Sequence, residues 1–133
     1  MKFFPKLLDS PDQKRILVVD DSPVLSHAYA SALRAWGYTV DTAVDGLAAL
    51  ARLRSVRYHL VITDYEMPRC DGIEFLRKAH LEIAKNRMPP FILITATPLE
   101  QLHGRLDGFA ATLTKPVSIT VLRELLSLRT ENS

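Results

Sequence analysis

Ile16-Leu17-Val18-Val19 runs into the paired acids Asp20-Asp21, and Leu60-Val61-Ile62-Thr63 runs into Asp64. Phe91-Ile92-Leu93-Ile94 ends in Thr95, and the stretch from Ala110 to Thr114 ends in Lys115-Pro116. Acid pair, acid, hydroxyl and amine are the residue types that hold a divalent cation and a phosphoryl group. Three carboxylates forced together repel one another unless a cation joins them. A hard ion with oxygen ligands and retained waters suits such a set, and Mg²⁺ fits best. Asp64 is then placed to attack phosphorus, since carboxylates serve as nucleophiles in aspartyl-phosphate chemistry. Phosphoryl transfer needs mainly positioning and charge neutralisation, which Lys115 and Thr95 supply.

Each residue taken singly has a plainer reading. A Lys-Pro is a common turn, a strand-end Thr often caps, and acids before Ser-Pro suit a helix N-terminus. Their joint placement at successive strand ends is what carries the chemistry, so the elements between them matter. Short apolar runs alternate with amphipathic stretches from Arg15 onward, the pattern of β-α-β units and a parallel sheet. Ser22 and Pro23 open a first helix with Leu25, Ala28, Ala32, Leu33 and Trp36 inward, and Gly37 stops it. A strand around Tyr38–Ala43 follows, and Asp45-Gly46 opens a second helix burying Leu47, Leu50, Leu53 and Val56. After the strand His59–Thr63, Asp71 with Glu74 resembles a capping box; the helix behind it buries Ile73, Leu76, Ala79 and Ile83. Thr97-Pro98 opens a short helix with Leu99, Leu102 and Leu106 inward, closed by Gly108. A last helix starts near Ser118 and packs Ile119, Leu122, Leu125 and Leu126. Five strands and five helices predict an α/β three-layer sandwich, doubly wound, with a parallel sheet in the order 2-1-3-4-5. In that order the strands ending in Asp20-Asp21 and Asp64 flank the point where strand order reverses, which is where such sheets bind ligands.

Bulk properties narrow the class. At 133 residues the chain suits one domain, with residues 1–14 as an extension or linker, 15–129 as the domain and 130–133 as a tail. Cys70 is the single cysteine, which allows no internal disulfide and fits a reducing, cytoplasmic setting; it reads as an inert thiol. No apolar run reaches the ~18 residues of a membrane span, and Pro5 and Lys6 interrupt a signal-peptide core. Net charge is +2, from 17 basic and 15 acidic residues, and Arg52 and Arg54 read as a solvated helix face rather than a nucleic-acid surface. The histidines (His27, His59, His80 and His103) do not cluster at ligand spacing.

The motifs Ile16 to Asp21, Asp64-Tyr65-Glu66-Met67-Pro68 with Asp71-Gly72, Thr95-Ala96 and Lys115-Pro116 resemble those of the receiver domain of two-component response regulators, a flavodoxin-like phosphoacceptor module. The resemblance spans about Arg15 to Leu128. It implies that Asp64 accepts a phosphoryl group from a phosphohistidine on a sensor histidine kinase or histidine-phosphotransfer protein. It also implies that Asp21 and Asp64 bind Mg²⁺ with the main-chain carbonyl of Glu66, and that Asp20 acts through water. Thr95 would swing toward the phosphoryl group, Lys115 would pair with it, and the Lys115-Pro116 bond would be cis. Intrinsic phosphotransfer and autodephosphorylation, a downstream target or output domain outside this chain, and a possible homodimer follow from the same resemblance. The final helix closes the chain, so no output domain is expected in it.

Departures from the pattern are local. Receivers often carry an aromatic residue three before the lysine; here that position is Thr112, which puts the usual threonine-aromatic coupling in question. The segment from Thr95 to Lys115 is short, and Lys85–Pro90 is long. Glu66, two residues past the acceptor, borders the phosphoryl group, where its carboxylate would alter phosphoryl lifetime or metal affinity. Two other readings stand beside this one. A haloacid-dehalogenase-type hydrolase uses similar residues, but it places its nucleophilic acid first and its acid pair late. A phosphorylation-independent interaction module of the same fold would not need the intact set.

Overall fold

A computed structural model describes residues 14–131. Five strands, β1 (Arg15–Val19), β2 (Thr39–Ala43), β3 (Leu60–Asp64), β4 (Phe91–Thr95) and β5 (Ala111–Thr114), form one parallel sheet in the order β2-β1-β3-β4-β5. Four α-helices connect or follow them: α1 (Pro23–Ala35), α2 (Gly46–Ser55), α3 (Gly72–Glu82) and α4 (Ile119–Glu131). Single 3₁₀ turns occupy Lys85–Arg87 and Leu99–Leu102.

Strand alternation divides the core into two layers. Leu17, Val19, Val61 and Phe91 point to one face and pack on Leu50 and Leu53 of α2 and on Phe75, Leu76 and Ala79 of α3. Ile16, Val18, Ile62, Ile92 and Ile94 point to the other, against Tyr29, Ala30 and Leu33 of α1 and Leu122 and Leu126 of α4. Both faces of β1, β3 and β4 are covered, which is why their sequences are apolar without alternation. Removing a side chain of this size from water contributes roughly 1.5–3 kcal/mol, so these layers hold the strand ends in place.

The helix caps match the sequence signals. Ser22 Oγ accepts from Leu25 N–H (3.3 Å), Asp45 Oδ1 from Ala48 N–H (2.8 Å) and Asp71 Oδ1 from Glu74 N–H (2.8 Å). Gly37 takes a positive φ of 100° at the end of α1, the conformation that favours glycine there. The capping box at α3 is half made, because the Glu74 carboxylate pairs with Arg77.

Several expectations need correction. The fifth predicted helix, from Thr97 to Gly108, is a single 3₁₀ turn at Leu99–Leu102, so the helix count is four. That turn has no side-chain cap; Pro98 is extended (ψ 135°) and Gly104 turns to positive φ immediately after. The helical phase agrees at Leu33, Leu50, Leu53, Leu76, Ala79, Ile83, Leu122 and Leu126, which are buried, but single positions differ. Ala28 is exposed, Leu47 and Ile119 are 46% and 51% exposed, and Ile73 is only half-buried. Tyr29, Ala49 and Phe75, not named from the sequence, are buried. The expectations for residues 1–13 and 132–133 lie outside the described residues.

Candidate functional site

The carboxyl ends of β1, β3, β4 and β5 converge on one side of the sheet, and backbone hydrogen bonds fix their loops. Asp20 N–H donates to Ala43 O (3.1 Å), Tyr65 N–H to Ile94 O (2.8 Å) and Lys115 N–H to Thr95 O (2.9 Å). Gly72 N–H closes the loop after β3 onto Tyr65 O (3.0 Å). A Cβ at Gly72 would stand 2.4 Å from the Asp64 carbonyl oxygen, so only glycine lets α3 start this close to the strand end. The Lys115-Pro116 peptide bond is cis.

These loops bring Asp20, Asp21, Asp64 and Lys115 together and set Thr95 against Glu66. Asp20, Asp21 and Asp64 each offer an oxygen, and those oxygens lie within 4.8 Å of one another. Asp20 and Asp64 are buried and Asp21 is exposed. Asp20 Oδ1 accepts from Ser22 N–H (2.8 Å), which fixes its orientation. Lys115 Nζ stands 3.1 Å from Asp64 Oδ1, an ion pair across the β3–β5 gap. Apart from that ion pair, Asp64 Oδ1 is the one buried side-chain oxygen or nitrogen among the described residues with no hydrogen-bond partner. An orphaned, buried carboxylate oxygen beside two further carboxylates is the donor set a hard divalent cation takes, so the residues present fit Mg²⁺.

The electrostatics follow from burial and crowding. Burial pushes the Asp64 carboxyl up to about 6, with Asp20 and Glu66 adding to the rise and Lys115 opposing it. Asp20 is raised by burial too, and by Asp21 and Glu66, against the Ser22 N–H and Lys115. Burial would lower the Lys115 ammonium, but Asp64 and Asp20 outweigh it and raise it. Asp20, Asp21 and Asp64 thus crowd around a single amine, Lys115, an imbalance that a divalent cation would offset.

Glu66, near enough to Asp64 to raise its carboxyl, is also held by the end of β4. Its Oε2 accepts from Thr95 Oγ1 (2.6 Å), Thr97 Oγ1 (2.6 Å) and Thr97 N–H (3.1 Å), and its Oε1 from Ala96 N–H (3.3 Å). Burial alone would raise this carboxyl, but the Thr95, Thr97 and Ala96 donors hold it down at about 2. Thr95 is fully buried, and its oxygen also accepts from Thr97 N–H (2.9 Å). Thr97 was not singled out as a site residue; nothing in a Thr-Pro pair signals a partner that lies two residues past another strand.

Arg69 and Asp45 were also missed. Arg69 holds a positive φ of 66° in the β3–α3 loop and donates to Asp45 Oδ2 at 2.8 Å, tying that loop to the start of α2. Thr112 is half-buried in β5 opposite Leu93. Arg52 and Arg54 are engaged by Asp41 and Glu82. His27 lines a surface pocket together with Asp20; Cys70 is buried under α2 and α3. No helix among the described residues is long and apolar enough to cross a membrane.

Comparison with known proteins agrees with this geometry. The family described as the response regulator receiver domain matches residues 16–127. The chain is 34% identical over 131 residues to the sensor histidine kinase RcsC of Salmonella typhimurium, covering 95% of this chain and 13% of that protein. It is 38% identical over 120 residues to the probable transcriptional regulatory protein TcrX of Mycobacterium tuberculosis, covering 86% and 49%. The chain therefore spans from about an eighth to half the length of these curated relatives. Among solved structures, the response regulator TrrA of Thermotoga maritima, in complex with Mg²⁺ and BeF, superposes with TM-score 0.78 at 32% identity, over 87% of this chain and 98% of that one. The receiver domain of a sensor histidine kinase from Pseudomonas aeruginosa, with magnesium coordinated in its active-site cleft, gives TM-score 0.80 at 27% identity, over 90% and 98%. A five-stranded 2-1-3-4-5 sheet with three acids, a threonine and a lysine at its carboxyl edge thus has both its sequence and structural kin in two-component signalling, and the chain belongs to the response regulator receiver domain family.

Proposed function

We propose that Asp64 is the residue of this receiver domain that takes the phosphoryl group, from a phosphohistidine on a sensor histidine kinase or histidine-phosphotransfer protein. The observation that carries this reading is Asp64 Oδ1, which is buried, accepts no hydrogen bond, and faces Lys115 Nζ at 3.1 Å. Such an oxygen keeps its lone pairs for phosphorus while the ammonium steadies its charge. In the transfer a new O–P bond forms at Asp64, the N–P bond of the phosphohistidine breaks, and the donor imidazole keeps the electron pair. Lys115 then pairs with a phosphoryl oxygen, and Thr95 donates its hydroxyl to another. Asp20, Asp21 and Asp64 would hold Mg²⁺, together with the main-chain carbonyl of Glu66. When bound, the ion supplies positive charge against the phosphoryl oxygens.

The groove beside Lys115 suits the donor's approach: Leu25 and Tyr29 of α1 face Pro116 and Val117 across a cavity of about 480 Å³. Residues 15–129 form the receiver in this reading, with the same site hydrolysing its own acyl phosphate. The switched surface is read by a downstream protein or an output domain, by a cytoplasmic route, as a monomer or a homodimer. The test is transfer of ³²P from a labelled histidine-phosphotransfer protein. Label should move to wild type and not to Asp64→Asn; wild type that stays unlabelled by any phosphohistidine donor or acetyl phosphate would leave a phosphorylation-independent interaction module instead.

A further inference from the structure

A threonine hydroxyl has one proton to donate, and in this structure Thr95 donates it to Glu66 Oε2 at 2.6 Å. Thr97 gives the same carboxylate oxygen both its hydroxyl and its amide proton, and Ala96 N–H reaches the other oxygen. An anion on the β3–α3 loop therefore occupies a cup of donors built from the end of β4. A phosphoryl group on Asp64 would need the Thr95 proton that Glu66 holds. Resting on the phosphoacceptor reading of Asp64, we propose that Glu66 is a built-in competitor for Thr95: its carboxylate holds the Thr95–Thr97 segment in the unphosphorylated arrangement, and phosphorylation takes effect by displacing it.

The competition is between two charge-assisted bonds to one donor. A hydroxyl bonded to a carboxylate is held about twice as strongly as one bonded to a neutral acceptor. Glu66→Gln keeps the shape and removes the charge, so the segment releases Thr95 more readily. Thr97→Val loosens the same clamp from its other side and leaves the charge near Asp64 unchanged. Glu66 is a positioning residue in this account and acts through Thr95. A carboxylate that merely repels the phosphoryl group through space would act whether or not Thr95 has a hydroxyl.

The experiment is beryllofluoride binding in the presence of Mg²⁺, followed by the backbone amide resonances of Thr95 and Thr97, for wild type, Glu66→Gln, Thr97→Val, Thr95→Val and the Glu66→Gln/Thr95→Val pair. Thermal unfolding checks that each variant is folded. Glu66→Gln should bind about tenfold tighter, Thr97→Val should also tighten, and the Glu66→Gln effect should fall to less than about twofold in the Thr95→Val background. Equal affinity of wild type and Glu66→Gln overturns the inference, as does a Glu66→Gln effect of full size without the Thr95 hydroxyl. Failure of wild type to bind beryllofluoride at all, with Asp64→Asn identical to it, refutes the phosphoacceptor reading itself.

Discussion

Replacing Asp64 with Asn should make the Mg²⁺-free protein more stable at pH 8. Burial pushes this carboxyl from its ordinary value near 3.8 to about 6, in spite of Lys115 at 3.1 Å. At 1.36 kcal/mol per pH unit, keeping the carboxylate ionised in the fold costs up to about 3 kcal/mol. Asn removes the charge, but it leaves Lys115 without its ion pair and adds a buried amide to satisfy. The net gain expected is therefore about 1–3 kcal/mol. The sign with pH is fixed by the direction of the shift. Below about pH 4 both states carry the proton and the two proteins should be alike. Between about pH 4 and 6 the unfolded wild type ionises first and loses stability, and above 6 the gap is complete. Glu66 works the other way, since its carboxyl is held down at about 2 from 4.5. It adds stability above about 4.5 that is lost as pH falls toward 2, in wild type and variant alike. Urea unfolding at pH 4, 6 and 8 with chelator present reads the gap as a midpoint shift of about 1 M at pH 8. Added Mg²⁺ should narrow it, because an ion bound only by folded wild type stabilises that state. An Asn variant less stable than wild type at pH 8 would refute the argument that burial dominates the ion pair.

Gly72→Ala places a methyl 2.4 Å from the Asp64 carbonyl oxygen and 2.7 Å from Leu93 Cδ1, so backbone must move. Unfolding should cost about 2–4 kcal/mol less, and phosphoryl uptake should fall with it; an unchanged melting temperature would contradict the geometry. Tyr58→Phe removes the hydroxyl that donates to Asp41 Oδ2 at 2.7 Å, yet Asp41 keeps Arg15 at 3.0 Å. Because that partner remains, urea unfolding should show a loss of only about 1 kcal/mol, and a loss several times larger would show the ion pair does not compensate. Cys70 is 1% exposed, and burial raises its thiol, so an aromatic disulfide reagent should react only as the protein opens; prompt full labelling of the native protein would place α2 and α3 further apart than described.

The sheet was legible because its signals are local and redundant. Apolar runs without alternation announced strands covered on both faces, and Ser22, Asp45 and Asp71 sit as caps where each helix begins. The five chemistry-bearing residues could be placed together because parallel topology puts every strand's carboxyl end on one edge. Helix phase was legible at Leu33, Leu50, Leu53, Leu76 and Leu122, but Ala28, Leu47 and Ile73, apolar in character, lie at the margin of a buried stripe that Tyr29, Ala49 and Phe75 fill. The missing fifth helix had a competing signal in Gly104, which limits the Leu99–Leu102 turn to one revolution. Glu66 was seen as a neighbour of the acceptor but not as a clamp. Its partners Thr95, Ala96 and Thr97 lie about thirty residues away and meet it only through the β3–β4 pairing. Contacts of that kind depend on loop conformation, which composition and periodicity do not encode.

Intact mass after incubation with acetyl phosphate tests the central claim most directly. Wild type with Mg²⁺ should gain one phosphoryl group, and the gain should vanish with chelator and in Asp64→Asn. A gain of the same size in Asp64→Asn would move the acceptor to another residue and contradict the assignment of Asp64 Oδ1 as the nucleophile.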